Sequence, residues 1–397
     1  MLRGYDKTGA LLGEIDFIEA SWDRKWSQPG EFMVYMALDE YRRLNNLGLK
    51  YIENLGRPEI GVIQKIEYFK ESNGAFETVS GFFAENLLNY ATYRKTQVIS
   101  ANSSAAVKSG ITNYIANANA PISADGNTYQ PLKNIVIDGK SVFPSKADVS
   151  IDNTFFVGEA IYSILSGTDY GVRVSISEYP KEDNTGALSL SILFVKGNNL
   201  TEGDNAVYFG KAYNNVDEAS YTLDESAEKC LYEIVQAVEP EAYNAFSSTY
   251  FPIKYTETIE GDTKYYVGCT YFYKGNQPSD IGACYPKNIL TTALSSDECD
   301  LSVTTTANQQ KIRDLMQKKA QLDMLDNYKV ESISVDVLQE KYTYMKDYDL
   351  GDTCVVLIDD LEQMYYARIE EVNETHKNNM IEIQLVLGTP SKQKWRR

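Results

Sequence analysis

Residues 60–83, IGVIQKIEYFKESNGAFETVSGFF, carry the clearest signal for β structure in the chain. Apolar side chains recur at even positions in the first half of this stretch, namely Ile60, Val62, Ile66 and Tyr68. A period of two places such side chains on one face of a strand. Asn73-Gly74 follows, the dipeptide best suited to a type I′ turn, and residues 76–83 return. The stretch therefore predicts an antiparallel β-hairpin.

The residues before the hairpin continue the β pattern with one helical interruption. Phe32, Val34 and Met36 recur at a period of two, share one face and predict a half-buried strand. Residues 39–47 switch to helical spacing and predict a short helix. Residues 1–95 are therefore predicted to form one β region that contains a single helix.

Residues 96–170 have a different character. Val107, Ile111 and Ile115 recur at helical spacing and predict one helix. A second helix is predicted from Asn153 to Leu165. We therefore interpret residues 96–170 as a helical segment between two β regions.

Strand patterns resume at residue 171 and continue, with one interruption, towards the end of the chain. Residues 171–238 are predicted to supply strands to a second β domain, which residues 331–390 complete. Residues 239–330 are interpreted as an accessory β region followed by a helix over Thr306–Asp326. Residues 391–397 form a basic tail. Together these segments predict a mainly β fold with helical insertions, of the α+β class.

The composition restricts the classes of function. The chain has 38 Lys and Arg against 56 Asp and Glu, and this net charge of −18 argues against sequence-independent phosphate binding. Its 30 tyrosines favour half-buried strands and interfaces, and they predict an oligomer. No apolar run is long enough to span a bilayer, and the first residues do not resemble a signal peptide. We therefore expect neither a membrane segment nor Sec export.

Residues suited to catalysis or cofactor binding are sparse. His376 is the only histidine of the sequence, which excludes two-His zinc centres, and its polar neighbours predict a hairpin loop. The five cysteines form no CxxC pair and are predicted to be free buried thiols. Phosphate-binding glycine loops and EF-hand loops are absent from the sequence. The sequence therefore predicts no catalytic residues, no metal site, no cofactor and no enzyme.

Several other polar positions have structural explanations. The doublets Asp359-Asp360 and Glu370-Glu371 are predicted to lie at solvated strand ends or turns. Gly351-Asp352 is predicted to form a tight turn into a strand, because glycine tolerates a positive φ. Arg57 and Arg368 lie beside apolar strands. Each is expected either to hold a neighbouring carboxylate in a bidentate ion pair or to form a surface ion pair that contributes little to stability.

Short motifs follow one another along the chain, at residues 21–26, 29–32, 57–63, 79–88, 170–174, 206–209, 348–352, 367–372 and 385–388. Their order and spacing resemble the tail hub proteins of siphophages, the Gp37-like family related to the hub part of tail-associated lysins. The motif residues, to which the resemblance assigns structural roles, are Trp26, Gly30, Phe32, Arg57, Gly61, Gly81, Gly351, Asp352, Arg368 and Gly388. Residues 239–305 depart from the family pattern and are interpreted as an inserted or exchanged element.

The resemblance implies a structural baseplate hub with two tube-like β-barrel or sandwich domains in each chain. Residues 1–95 would form the first domain, and residues 171–238 with 331–390 the second. A homotrimer would then offer six similar domains to a hexameric tail tube or distal tail protein ring. A spike, fibre or lysin component below the hub and the tape measure protein are the other implied partners.

The implied location is the tail baseplate or tip of a virion that is assembled in the host cytoplasm. Siphophage tail, contractile phage tail and phage-tail-like bacteriocin, or tailocin, all remain open. Two other classes of function are also compatible with the composition. A glycan-binding β-rich surface module would explain the aromatic residues, and a carboxylate-dependent glycan hydrolase would explain the acidity.

Overall fold

The structure is a computed structural model that describes residues 1–72, 74–91, 97–118, 122–124, 127–129, 132–151, 156–182, 188–224, 231–272, 287–294, 298–326, 330–378 and 380–388. Strands dominate these residues and helices are inserted between them, so the predicted fold class is confirmed. Contacts divide the chain into two compact units, residues 1–221 with 332–397 and residues 222–331.

The N-terminal part consists of β1 Leu2–Asp6, β2 Leu11–Glu14, β3 Glu19–Lys25, β4 Glu31–Ala37, α1 Leu38–Asn45, β5 Leu49–Asn54, β6 Ile60–Glu71 and β7 Gly74–Phe83. β6 and β7 pair antiparallel along most of their length, which confirms the predicted hairpin. Asn73 of the predicted turn lies outside the described residues. Along β4, Phe32, Val34 and Met36 are buried, as their alternation predicts.

The next part consists of a 3₁₀ helix at Ala84–Tyr90, β8 Gln97–Ala101, α2 Ser104–Ala118, β9 Ile122–Ala124, β10 Asn127–Tyr129, β11 Leu132–Ile137, β12 Ala147–Ile151 and α3 Val157–Leu165. Both predicted helices are present, but strands β8 to β12 occupy much of the segment that was predicted to be helical. The described part of the second helix begins at Val157, where the Glu159 carboxylate accepts a hydrogen bond from the Phe156 amide.

The following strands are β13 Tyr170–Glu178, β14 Leu188–Lys196, β15 Tyr208–Phe209 and β16 Val216–Asp224. β13 and β14 form a hairpin whose alternating face includes Val172, Val174 and Ile192, all of them buried. β14 also pairs with β11, in a three-stranded sheet that contains no C-terminal strand. This pairing differs from the predicted second β domain, because the apolar face of the hairpin packs in the same core as α2 and α3.

The second unit contains β17 Leu231–Val238, α4 Pro240–Ala245, β18 Ile253–Ile259, β19 Asp262–Phe272, β20 Lys287–Thr291 and α5 Thr306–Asp326. Its sheet has the strand order β18-β19-β17-β20. α5 coincides with the predicted helix, and Ile312, Met316 and Ala320 share a core with the sheet because their spacing of four places them on one face. β17, which the sequence grouped with the preceding strands, lies in this unit.

The C-terminal strands are β21 Val330–Val337, β22 Thr353–Ile358, β23 Gln363–Lys377 and β24 Met380–Gly388. They belong to a 13-stranded sheet whose main order is β16-β21-β24-β23-β3-β4-β7-β6-β5-β1-β2, with β22 on β23 and β15 on β22. Antiparallel pairing of β23 with β3 joins the N-terminal strands to the C-terminal ones. The described sheets are open, and none of them closes into a barrel.

Candidate functional site

Trp26 stands at the end of β3, and glycines on two other segments make room for its indole. A Cβ atom at Gly171 would lie 2.8 Å from the ring, and one at Gly351 would lie 2.1 Å from it. Gly351 also has a φ of +93°, which side-chain-bearing residues rarely adopt. Two of the predicted motif residues, Trp26 and Gly351, therefore meet where β3, β13 and the turn before β22 come together.

Asp352 holds the turn that carries Gly351. The buried Asp352 carboxylate accepts hydrogen bonds from the Asn198 backbone N–H at 2.8 Å, from the Asn198 amide nitrogen at 2.9 Å and from the Asp349 N–H at 2.8 Å. β22 begins at the next residue. The predicted tight turn into a strand is confirmed, and the role of Asp352 in it is that of a hydrogen-bond acceptor.

Four more motif residues surround a buried aromatic group in the N-terminal strands. A Cβ atom at Gly61 would lie 2.6 Å from the ring of Phe32, and one at Gly30 would lie 2.6 Å from the ring of Phe83. A Cβ atom at Gly81 would lie 1.9 Å from a backbone carbonyl oxygen of β6. These glycines allow close approach of backbone and rings, so the site they form is a packing site without access for a ligand.

Arg368 and Gly388 are two further motif residues, both on the C-terminal strands. Arg368 donates to the Thr168 carbonyl oxygen at 2.6 Å and pairs with the exposed Asp169 carboxylate at 3.1 Å. Glu370 lies 3.9 Å from Arg368 and is buried, so it is not at a solvated strand end or turn as predicted. Burial raises the pKa of Glu370 to about 7, against the lowering effect of Arg368. Gly388 ends β24 with a φ of +108°.

Arg24 is the residue that sequence analysis missed. Its side chain is 1% exposed, and its Nε and Nη1 atoms lie 2.7 Å from carboxylate oxygens of Glu59 and Asp349, respectively. It also donates to the Tyr344 hydroxyl. Arg173 pairs with the second Asp349 oxygen at 2.8 Å. Burial raises the pKa of Asp349, but the two guanidinium groups lower it more, so its pKa lies below its usual value.

A signal for Arg24 was present in the sequence. Trp22, Arg24 and Trp26 occupy alternate positions, the first two in β3 and the third directly after it, and all three are buried. An arginine at the inward position between two tryptophans has to be compensated by carboxylates from elsewhere in the fold. The partners, Glu59 and Asp349, are distant in sequence and no local pattern identifies them.

His376 lies in β23 and not in a hairpin loop, which corrects the prediction. Its side chain is 9% exposed, and its Nε2 contacts the Glu374 carboxylate and lies 3.3 Å from the Asn54 amide nitrogen. Glu374 also accepts hydrogen bonds from Arg57 Nε at 2.7 Å and from Asn54 at 3.1 Å. The extension of β23 along β3 buries both residues, and this cluster replaces the predicted surface alternative for Arg57.

Exposed apolar side chains identify two surfaces suited to protein contacts. The distal half of β6 carries Ile66, Tyr68 and Phe69, which are 43 to 55% exposed. A separate cleft of about 530 Å³ is lined by residues 15–18 and by residues of the β23–β24 hairpin, among them the half-exposed Met380. Clusters of exposed apolar side chains are typical of interaction surfaces.

The described residues contain no group of three His, Cys, Asp or Glu side chains arranged to hold a metal ion. In the same part of the chain, no helix combines the length and the apolar character required to cross a membrane. Cys269, Cys299 and Cys354 are free and buried, as predicted, and burial raises the pKa of Cys269 to about 11. Cys230 and Cys284 lie outside the described residues, as does the basic tail at 391–397.

Comparisons with known families support the resemblance that the motifs indicate. Residues 294–389 match the family model described as Siphovirus ReqiPepy6 Gp37-like protein. This range contains β21 to β24 and four of the motif residues, Gly351, Asp352, Arg368 and Gly388. The resemblance to this family is thereby confirmed, and the match supports a structural role in a phage tail.

Solved structures also match over nearly the whole chain. The tail protein from Neisseria meningitidis MC58 matches at 12% identity over 97% of this chain and 94% of that chain, with a TM-score of 0.48. Prophage tail protein gp18 from Listeria monocytogenes EGD-e matches at 12% identity over 98% and 95%, with a TM-score of 0.45. The 43 kDa tail protein of prophage MuSo2 from Shewanella oneidensis matches at 10% identity over 98% of each chain, with a TM-score of 0.46. A search of curated proteins gives no significant match.

Proposed function

We propose that this chain is a structural baseplate or tail hub protein of a phage or a phage-tail-like particle. The observation that carries the proposal is the match of residues 294–389 to the Gp37-like family, together with the earlier motifs from residue 21 onwards. The same match supports a location at the baseplate or tip of the tail. In this role the protein connects the tail tube to distal tail components and performs no chemistry of its own.

The environment of the ionisable groups supports a structural role. Arg24 and Glu374 are almost completely buried, and the polar contacts described for them are with other side chains of the fold. His376 contacts Glu374 and Asn54 in the interior. Groups held in this way stabilise contacts between distant segments and are not accessible to a substrate.

The arrangement we propose is a homotrimer that caps a hexameric tail tube. A hexameric ring at the end of the tube would present six equivalent docking edges. Three chains can occupy all six only if each chain contributes two similar β regions. We assign these roles to the strands of residues 1–95 and, within 171–238 and 331–390, to β15, β16 and β21 to β24, which lie in the same sheet. The face of the distal half of β6 that carries the exposed Ile66 and Tyr68 is the surface we propose for contact with the ring.

Charge supports a further part of this proposal. Each chain carries a net charge of −18, and acidic groups around an axial channel would let phosphates pass without adhering. Repulsion between like-charged subunits weakens with salt, because the screening length falls to about 8 Å at physiological ionic strength. Assembly of the proposed trimer should therefore tighten as salt is added.

Light scattering of the purified protein across a salt series tests the oligomeric state, and electron microscopy with added tube protein tests capping. We expect a mass of three chains and closed tube ends. The variant Tyr68→Glu should reduce capping, whereas Glu14→Gln, at an exposed site, should not. A monomer at every salt and protein concentration, with tube protein present, would contradict the hub assignment.

A further inference from the structure

A small cavity of about 10 Å³ in the first unit is lined by Arg24. Polar residues from four segments line it, namely Arg24 of β3, Glu59, Glu85 of the 3₁₀ helix and Arg173 of β13. This volume is about what a single water molecule requires, and a buried water also needs two to four polar partners. The cavity therefore combines the size and the lining of an internal water site.

Five of the lining residues carry a buried polar atom that has no hydrogen-bond partner among the described residues: Arg24 Nη2, Trp26 Nε1, Glu59 Oε2, Glu85 Oε2 and Arg173 Nε. Arg24, Glu59 and Glu85 belong to one connected group. Arg24 Nε donates to Glu59 Oε1 at 2.7 Å, and Glu85 Oε1 accepts from the Val174 N–H at 3.3 Å. In this group one guanidinium nitrogen and two carboxyl oxygens are left for the cavity.

The charges around the cavity balance only when Glu85 is neutral. Arg24 and Arg173 contribute two positive charges, and Glu59 and Asp349 contribute two negative ones, in ion pairs of 2.7 to 2.8 Å. An ionised Glu85 would add an uncompensated negative charge in the interior, which is strongly unfavourable. A protonated Glu85 removes that charge and supplies an O–H donor.

Two further groups complete the surroundings of Glu85 without changing this balance. Lys25 also lines the cavity, and its ammonium pairs with Glu31. Tyr162 of α3 is a neutral phenol, and the proximity of Glu85 raises its pKa further. Neither group offers a free positive charge that would compensate an ionised Glu85.

We propose that this cavity binds one water molecule between Arg24, Glu59 and a protonated Glu85. The water accepts hydrogen bonds from Arg24 Nη2 and from the Glu85 carboxyl O–H, and it donates one to Glu59 Oε2. All three atoms are then satisfied and the cluster is neutral. The site joins β3, the segment after β7 and β13 through one bound water and one bound proton.

The protonation has a consequence for the pH dependence of folding. Burial raises the pKa of Glu85 to about 8, and the negative charge of Glu59 adds to this effect. Folding therefore takes up a proton at Glu85. The stability linked to this proton is fully present below the pKa of an exposed glutamate, and it is lost as the pH rises through the folded pKa.

The variant Glu85→Gln tests whether Glu85 is protonated in the folded protein. Glu14→Gln, at an exposed site, is the control. Glutamine is neutral at every pH and keeps an N–H donor for the cavity. Between pH 5 and 8 the unfolding equilibrium constant of the wild type should rise relative to that of Glu85→Gln by roughly tenfold per pH unit at most. The control should follow the wild type. Equal pH dependence of the wild type and Glu85→Gln would contradict the proposal.

Two measurements on the wild-type chain do not depend on how the variant folds. Infrared titration should show a C=O band of a protonated carboxyl that persists to pH 7.5 and disappears with a midpoint near pH 8, above the midpoints expected for Asp23 and Glu370, whose pKa values are raised by burial to about 6 and about 7. A crystal structure at high resolution should show one water peak between the three atoms. The absence of this carboxyl band would contradict the protonation of Glu85. The absence of the peak would contradict the binding of a water molecule in the cavity.

Discussion

Arg24 and Arg57 lie against the ring of the same residue, Tyr344, yet they are held in different ways. The guanidinium carbons lie 5.7 Å and 5.2 Å from the ring centroid, respectively. The side chain of Arg24 is 1% exposed and pairs with two carboxylates, whereas that of Arg57 is 19% exposed and pairs with one. The number of partners follows the depth of burial.

The physical reason for this difference is the cost of removing a charge from water. Arg57 keeps part of its hydration, so a single carboxylate, Glu374, and the face of Tyr344 suffice for it. Arg24 has lost nearly all contact with solvent and needs Glu59, Asp349 and the Tyr344 hydroxyl together. We therefore expect the two arginines to differ in how much stability depends on them.

The largest effect is expected from Arg24→Met. This change leaves the buried Glu59 carboxylate without its cation, and we expect a loss of about 3–5 kcal/mol in the free energy of unfolding. Urea denaturation measures it, with Arg42→Met as the control because Arg42 is 65% exposed and pairs weakly with Asp39. A loss for Arg24→Met as small as that of the control would contradict the buried network.

A smaller effect is expected from Arg57→Met. Glu374 loses one partner but keeps its contacts with His376 and Asn54, so we expect a loss of roughly 1–3 kcal/mol. The same urea experiment, with the same control, measures it. If Arg57→Met cost more than Arg24→Met, burial depth would not be what distinguishes the two sites.

A further decrease is expected for His376→Ala. The sequence predicts a silent change in a loop, but the structure places His376 against the Glu374 carboxylate in the interior. Losing this hydrogen bond and the edge contact with the Phe17 ring, whose centroid lies 6.2 Å away, should cost about 1–2 kcal/mol. Thermal melts compare it with Glu382→Ala, at an exposed position of the neighbouring strand β24. A loss no larger than that of Glu382→Ala would contradict a stabilising role of His376.

The smallest effect concerns acid stability. Burial raises the pKa of Glu374, but the His376 hydrogen bond and Arg57 lower it more, so its folded pKa lies below its usual value. The stability from this group is present above the unfolded pKa and is lost as the pH falls through the folded one. Between pH 5 and 4, the wild type should lose up to about 1 kcal/mol relative to Glu374→Gln. Parallel pH profiles of the two proteins would exclude this contribution.

Much of the secondary structure could be predicted because its signals are local. The alternation of Phe32, Val34 and Met36 indicates the buried face of a strand. The spacing of Ile312 and Met316 indicates the buried face of a helix. The turn at Gly351 was also predictable, because a positive φ favours glycine. The assignment of tube-like domains to residues 1–95 and to 171–238 with 331–390 stays a prediction.

The candidate site could be predicted only in part. The motif residues Trp26, Gly351 and Asp352 were identified from sequence, but no pattern indicates that Gly171 also borders the Trp26 indole. Arg24 has a visible signal, its inward position between two tryptophans. Its carboxylate partners come from segments 35 and 325 residues away, so no local spacing reveals them.

The sequence by itself determined the β6–β7 hairpin, the helices α2 and α5, that the chain is mainly β, and that it resembles the Gp37-like family. These features depend on period, turn chemistry and motif order, all of which are encoded within short stretches. Only the tertiary structure decided that β23 pairs with β3, that β13 and β14 join β11, and that His376 is buried. Strand pairing joins residues far apart in the chain, and burial depends on what packs against them, so neither can be read from a local pattern.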